Sequence, residues 1–172
     1  MSTPTIIARV MPSPTEAPAI SLPVGGTLHT WYWIATPFGA EPLTLAHMVK
    51  HGLSLAAVQR AAVDHLWARL EDHVSVFRED EREPYRLHAL PGFAASTLLL
   101  RNLWDELASE VCGALVLRVS NQNQVLFAGT DEREAMAKLA GGRRRRPLLL
   151  WTKDGWAPYR VTPTLVASLH AA

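Results

Sequence analysis

Cysteine is nearly absent: Cys112 is the single one in 172 residues, which excludes a disulfide framework and a multi-cysteine zinc site within the chain. Net charge is nearly absent too. Lysine and arginine total 17 against 16 aspartates and glutamates, a formal charge of +1, so a histone-like polycation is excluded while a local basic patch is not. No apolar run reaches the roughly 18 residues of a membrane-spanning helix. The N-terminus carries no charged stretch followed by a continuous apolar one, so no export signal is expected and a soluble, cytoplasmic protein is. The phosphate-cradling patterns Gly-x-Gly-x-x-Gly and Gly-x-x-x-x-Gly-Lys-Ser/Thr are missing, as is the Gly-x-Ser-x-Gly elbow of serine hydrolases. Without them, nucleotide binding through such loops and serine-based hydrolysis have no anchor.

What is present suits a folded domain. A chain that is 48% hydrophobic and 19% charged is neither disordered nor collagen-like. Residues 1–24 stand apart as a proline-rich arm or edge hairpin, and residues 25–172 read as a single α+β domain. Pro4, Pro12, Pro14, Pro18 and Pro23 forbid a helix through the arm, because proline lacks an N–H and fixes φ. Thr5 to Val10 and Ala19 to Val24 are either two short strands around a Pro12–Pro18 turn or part of a disordered arm.

Beyond the Gly25-Gly26 turn, Leu28 to Thr36 is rich in β formers and predicts a strand, with Trp31, Tyr32 and Trp33 putting aromatics on both faces. Thr44 is placed to cap a short helix through His51 that Gly52 closes, and Ser54 a longer one. In the longer helix Leu55, Val58, Ala62, Leu66 and Leu70 form one buried stripe. His73–Arg78 and Tyr85–Leu90 predict an antiparallel pair. A helix is expected over Ala94–Val111, then a hairpin of Leu115–Val119 and Gln124–Phe127. Thr130 is expected to cap a further helix ended by Gly141-Gly142. A last pair, Leu148–Thr152 and Trp156–Val161, turns at Lys153-Asp154-Gly155. Hairpins separated by single helices predict an α+β fold, a mostly antiparallel sheet with about four helices packed on it.

Four stretches carry a resemblance: PLTLAHMVKHGLSLAAVQRAAVDHLWARL (Pro42 to Leu70), ALPGFAASTLLLRNLWDEL (Ala89 to Leu107), GALVLRVSNQNQVLFAGTDEREAMAKL (Gly113 to Leu139) and LLLWTKDGWAPYRV (Leu148 to Val161). In pattern and order they resemble the bacterial YtpQ-like family of uncharacterised proteins over most of residues 28–161. The resemblance implies an α+β fold in the bacterial cytoplasm. It implies no reaction.

The residues that carry chemistry are few. His47 and His51 sit four apart, a spacing that presents two imidazoles to a metal. The zinc-protease glutamate is missing between them, however, and Lys50 would repel a cation, so no metal and no cofactor are expected. Cys112 falls near a helix C-terminus, where the dipole opposes a thiolate, so a buried structural cysteine is expected and no catalytic residue is assigned. Glu79-Asp80-Glu81-Arg82-Glu83 reads as a solvated loop, wet and mobile, unsuited to an acid–base pair.

Arg143, Arg144, Arg145 and Arg146 put a local positive field on a neutral protein. They suit phosphate backbones, and about four neutralised phosphates would give a log–log salt slope near −3 to −4. Trp151 and Trp156 on the adjoining hairpin would add stacking faces. Trp31 and Trp33, like Trp151 and Trp156, are candidate partner contacts, because tryptophan dominates contact energies. Three functions follow. The first is a non-enzymatic interaction protein whose partner is another protein or a second copy, with no membrane role. The second is a nucleic-acid-binding protein acting through the arginine run. The third is an enzyme whose pocket gathers two or more of His29, His47, His51, His65, His73 and His88.

Overall fold

A computed structural model describes residues 4–12, 19–141 and 147–161. The first sheet is built from β1 (Ile6–Pro12), β2 (Ser21–Gly25), β3 (Leu28–Thr36) and β4 (Gly39–Pro42), all antiparallel to β3 at its centre. β1 follows one side of β3 from Ile6 opposite Ile34 to Pro12 opposite Leu28, while β2 and β4 share the other side. The first two strands therefore do not pair with each other as a hairpin; each pairs with β3. The prolines fit this arrangement, because Pro12 ends its strand and the exposed Pro23 sits on an edge strand. Alternation of Ile6, Ala8 and Val10, each at most 2% exposed, ties β1 into the core. Of the expected Pro12–Pro18 turn, residues 13–18 lie outside the described residues.

Helix α1 (Leu45–His51) begins with a reciprocal cap. The His47 N–H donates to Thr44 Oγ1, and His47 Nδ1 accepts from the Thr44 N–H at 3.3 Å. Histidine thus fills the place usually taken by glutamate or glutamine. Gly52 closes the helix at φ 62°, a left-handed conformation costly for any residue with a Cβ. Ser54 Oγ accepts from the Ala57 N–H to start α2 (Leu55–Leu70). Val58, Ala62, Leu66 and Leu70 form its buried stripe, whereas Leu55 remains 39% exposed.

The second sheet runs in the order β10-β9-β7-β8-β6-β5, with β5 (Ser75–Phe77), β6 (Tyr85–His88), β7 (Leu115–Asn121), β8 (Gln124–Gly129), β9 (Leu148–Thr152) and β10 (Gly155–Tyr159). Every pairing is antiparallel. The α+β architecture is as expected, with the strands divided between two sheets.

The helix expected over Ala94–Val111 is interrupted. Ala94–Leu99 is a 3-10 helix, Leu100 leaves helical geometry at ψ 82°, and α3 covers Arg101–Ser109. The break follows from where the backbone groups go. The carbonyl of Thr97 accepts the Trp104 indole N–H at 2.6 Å, and that of Leu98 accepts the Trp156 indole N–H at 2.9 Å. Ser96 Oγ accepts the Val10 N–H on the outer edge of β1 at 3.1 Å. The two indoles occupy carbonyls of the i→i−4 ladder, the Leu100 N–H turns to Thr97 at 2.9 Å in the tighter i→i−3 pattern, and Ser96 and Thr97 support an α-helix poorly in any case. The last helix, α4 (Arg133–Ala140), is not capped by Thr130, whose hydroxyl accepts the Ala114 N–H instead; Glu132 holds the N-cap position.

One core cluster joins the two sheets: Val10 and Leu28 from the first pack with Leu87, Leu117, Phe127 and Leu149 from the second around Trp104. A second cluster lies between α2 and the first sheet, with Tyr32, Ile34 and Leu43 against Val58 and Ala62. Burial there pushes the Tyr32 phenol above its usual 10.0, against hydrogen bonds with Gln59 and Thr30 that favour the charged form.

Candidate interaction surface

The four arginines of the basic run, Arg143 to Arg146, lie outside the described residues. The tryptophans expected to flank them are turned to internal use. Trp151 and Trp156 face each other across β9 and β10 with centroids 4.6 Å apart, and Trp156 meets the edge of Trp104 at 5.1 Å. The Trp151 indole N–H donates to Asp105 at 3.0 Å, and the Trp156 N–H is committed to Leu98. A nucleic-acid reading therefore rests on the arginines alone. Trp31 is 5% exposed, too little for direct contact with a partner, while Trp33 on the same sheet face is half-buried.

The histidines are scattered. His47 is held by the α1 cap, with its Nε2 3.9 Å from Glu41, and His88 stacks on Phe77 at 5.1 Å. His51 and His73 are exposed, and His65 and His29 are half-buried. Among the described residues no group of three or more His, Cys, Asp or Glu is placed to hold a metal ion. Cavities of about 460, 620 and 240 Å³ open on the surface, and none of these three is lined by histidine.

Cys112 is exposed, contrary to the buried cysteine expected. α3 ends at Ser109, so Cys112 falls in the surface turn beyond it. Its backbone, not its thiol, is the packed part: a Cβ at Gly129 would collide with the Cys112 carbonyl. The thiol lies on the rim of the 620 Å³ cleft, which the expected solvated loop also borders. That loop is ordered around one guanidinium. Arg78 Nε donates to the carbonyls of Asp80 and Glu83, both at 2.9 Å, and Nη2 donates to that of Glu81. Arg78 also pairs with Glu132 at 3.5 Å, with side chains 16% and 9% exposed. Glu132 in turn accepts the N–H groups of Cys112 and Gly129. Arg82 pairs with Glu134 at 3.6 Å, and Glu83 with Lys138, a hydrogen bond that raises the ammonium pKa. Two ion pairs, Arg78–Glu132 and Arg82–Glu134, cross the cleft and brace the loop against the start of α4, while Glu81, Glu110, Asp131 and Arg133 also line it.

The surface that nothing internal uses lies between residues 38 and 51. Phe38 tips the β3–β4 hairpin and is 99% exposed. The hairpin leads directly into α1, against which it rests through Glu41 and His47. Leu45 and Val49, one helical turn apart on a single face, are 70% and 76% exposed. α1 has no fully buried residue, and among its apolar side chains only Met48 is half-buried, against the second core cluster. A seven-residue helix is too short to stand on propensity, so its caps and the contact of Met48 with the core hold it, and the face bearing Leu45 and Val49 is left over. Lys50 and His51, in the last turn, are exposed and unpaired with any described carboxylate.

Fully burying Phe38, Leu45 and Val49 would contribute about 1.5–3 kcal/mol each. Association costs at least about 4 kcal/mol in lost freedom, so these three alone give a weak complex, and Lys50 and His51 must add polar contacts for a tight one. The signal for Phe38 was in the sequence: an aromatic in a Pro37-Phe38-Gly39 turn has no core to face. Comparison with known proteins adds no relative: no family model, no curated protein and no solved structure matches the chain.

Proposed function

We propose that the chain is a non-enzymatic interaction protein that docks a protein partner through Phe38, Leu45 and Val49. The exposure of Phe38, at 99%, carries this reading: an aromatic held fully in water at the tip of an ordered hairpin supports a contact role. Because Lys50 borders the patch at the far end of α1, the complementary partner surface is an apolar groove with a carboxylate placed to face it.

The test is site-specific photo-crosslinking in cells, with a benzophenone side chain at position 38 or 49 and, as control, at the exposed position 106. One prominent protein adduct from 38 and 49, absent from 106, is expected. Purified, that partner should bind the Phe38→Ser protein at least tenfold more weakly. Equal labelling from all three positions would contradict the reading, and an adduct of twice the chain mass would assign a second copy as the partner. A salt-sensitive shift of DNA or RNA, abolished by alanine at Arg143 to Arg146, would favour the nucleic-acid alternative instead.

A further inference from the structure

Arg9 and Arg69 converge on one ring. Arg9 projects from β1, and its guanidinium carbon lies 5.0 Å from the centroid of Phe93. Arg69, in the last turn of α2, lies 4.9 Å from the same centroid. The two cationic carbons are therefore within about 10 Å of each other, close enough to repel. Neither is ion-paired or hydrogen-bonded to a described carboxylate, unlike Arg78, Arg82, Arg86 and Arg101. Phe93 itself is 4% exposed, so the ring is a fixed post that positions both groups.

Beside this pair is a cavity of about 240 Å³ lined by Ile7, Arg9, Trp33 and Ala40. An apolar cavity of about 150 Å³ holds benzene, so this one has room for a substituted ring. Ile7 and Trp33 are register partners across β1 and β3, and Arg9 is the register partner of Trp31. The cavity lining thus carries the positive charge of Arg9, with Arg69 nearby, and no carboxylate. An oxyanion is the chemistry that balances it, and an apolar ring is the body that the cavity beside Trp33 accommodates.

We propose that Arg9, Trp33 and Ile7 form a binding site for a small aryl oxyanion, a planar ring bearing a carboxylate or phosphate. The ring packs in the cavity against Trp33 and Ile7. The anionic group meets Arg9, with the charge of Arg69 strengthening the attraction. This site adjoins the docking surface at Ala40, in the hairpin that Phe38 tips, but shares none of its contact residues and does not depend on it.

Calorimetric titration of the full chain with phenyl phosphate, benzoate, inorganic phosphate and benzyl alcohol tests the assignment. Phenyl phosphate and benzoate should bind at one site, inorganic phosphate at least tenfold more weakly than phenyl phosphate, and benzyl alcohol not measurably. Arg9→Met should lower phenyl phosphate affinity at least tenfold, and Arg69→Met two- to fivefold, with far-ultraviolet circular dichroism confirming that each variant folds. Arg9→Lys, which keeps the charge, serves if Arg9→Met does not fold, and should lose affinity by a smaller factor. Absence of binding by the unaltered protein would overturn the site, as would equal affinity for phenyl phosphate and inorganic phosphate. Full retention of affinity in the folded Arg9 variant would do the same.

Discussion

The two helices that follow the first sheet make an instructive pair. α2 and α1 each start at a hydroxyl N-cap, yet α2 fully buries Val58, Ala62, Leu66 and Leu70 while α1 only half-buries Met48 and points Leu45 and Val49 at water. The same local chemistry therefore serves two ends. In α2 the cap sets the start of a helix that packing holds. In α1 the caps hold a helix whose apolar face is spare. The tryptophans divide in the same way: Trp104, Trp151 and Trp156 each place the indole N–H on an internal acceptor, and Trp31 does not. Where every group is satisfied the molecule is being held together; where apolar area is left over in water, something else is expected to meet it.

Substitutions should separate these regions by stability. The largest loss is expected at Trp104, fully buried against Phe127 and Trp156. Trp104→Ala should cost about 3–5 kcal/mol in urea unfolding and release the Thr97 carbonyl from its indole partner. A loss under about 1 kcal/mol would break the division, by showing that this cluster is not the keystone of the core.

Glu132→Ala comes next. It removes the acceptor shared by Arg78, Cys112 and Gly129, and should cost about 1–3 kcal/mol. Arg78 keeps its three carbonyl contacts, which limits the damage. Ser54→Ala, which deletes the α2 cap, should cost about 1 kcal/mol. Phe38→Ser should change stability by less than about 0.5 kcal/mol, since its side chain touches little of the fold.

The pH dependence sharpens the same division from the core side. Tyr32 keeps its proton longer in the folded state than its ordinary 10.0 allows in the unfolded chain. Its contribution to stability is whole below that value and is lost as the pH rises past it. In an ultraviolet absorbance titration one tyrosine should ionise later than the exposed reference, and simultaneous ionisation of all would contradict its burial.

Much of this fold was legible in the sequence, for physical reasons that can be named. Thr44, Gly52 and Ser54 fix their helix ends through local hydrogen bonds and one left-handed residue, and such signals need no tertiary information. The α2 stripe and the β7–β8 and β9–β10 hairpins were legible for the same reason. The break at Leu100 was not, because it depends on indoles arriving from Trp104 and from Trp156, which lies 58 residues beyond Leu98. Pairing of β1 with β3 was hidden too, since a strand with alternating apolar residues does not name its neighbour. Of the residues at the two proposed surfaces, the sequence marks Trp33, as a partner contact, and His51, as one of the candidate histidines. Phe38 is marked by its Pro37-Phe38-Gly39 turn, whereas Leu45 and Val49 look like ordinary core residues until the fold shows that no core reaches them, and Arg9 and Arg69 are brought to Phe93 only by packing.

The most direct measurement combines stability and binding on one protein, the Phe38→Ser/Val49→Glu double variant, against the partner recovered by crosslinking at position 38. The urea midpoint should stay close to that of the unaltered chain while partner affinity falls at least thirtyfold. A large drop in midpoint with affinity unchanged would show that these side chains support the fold and that docking occurs elsewhere.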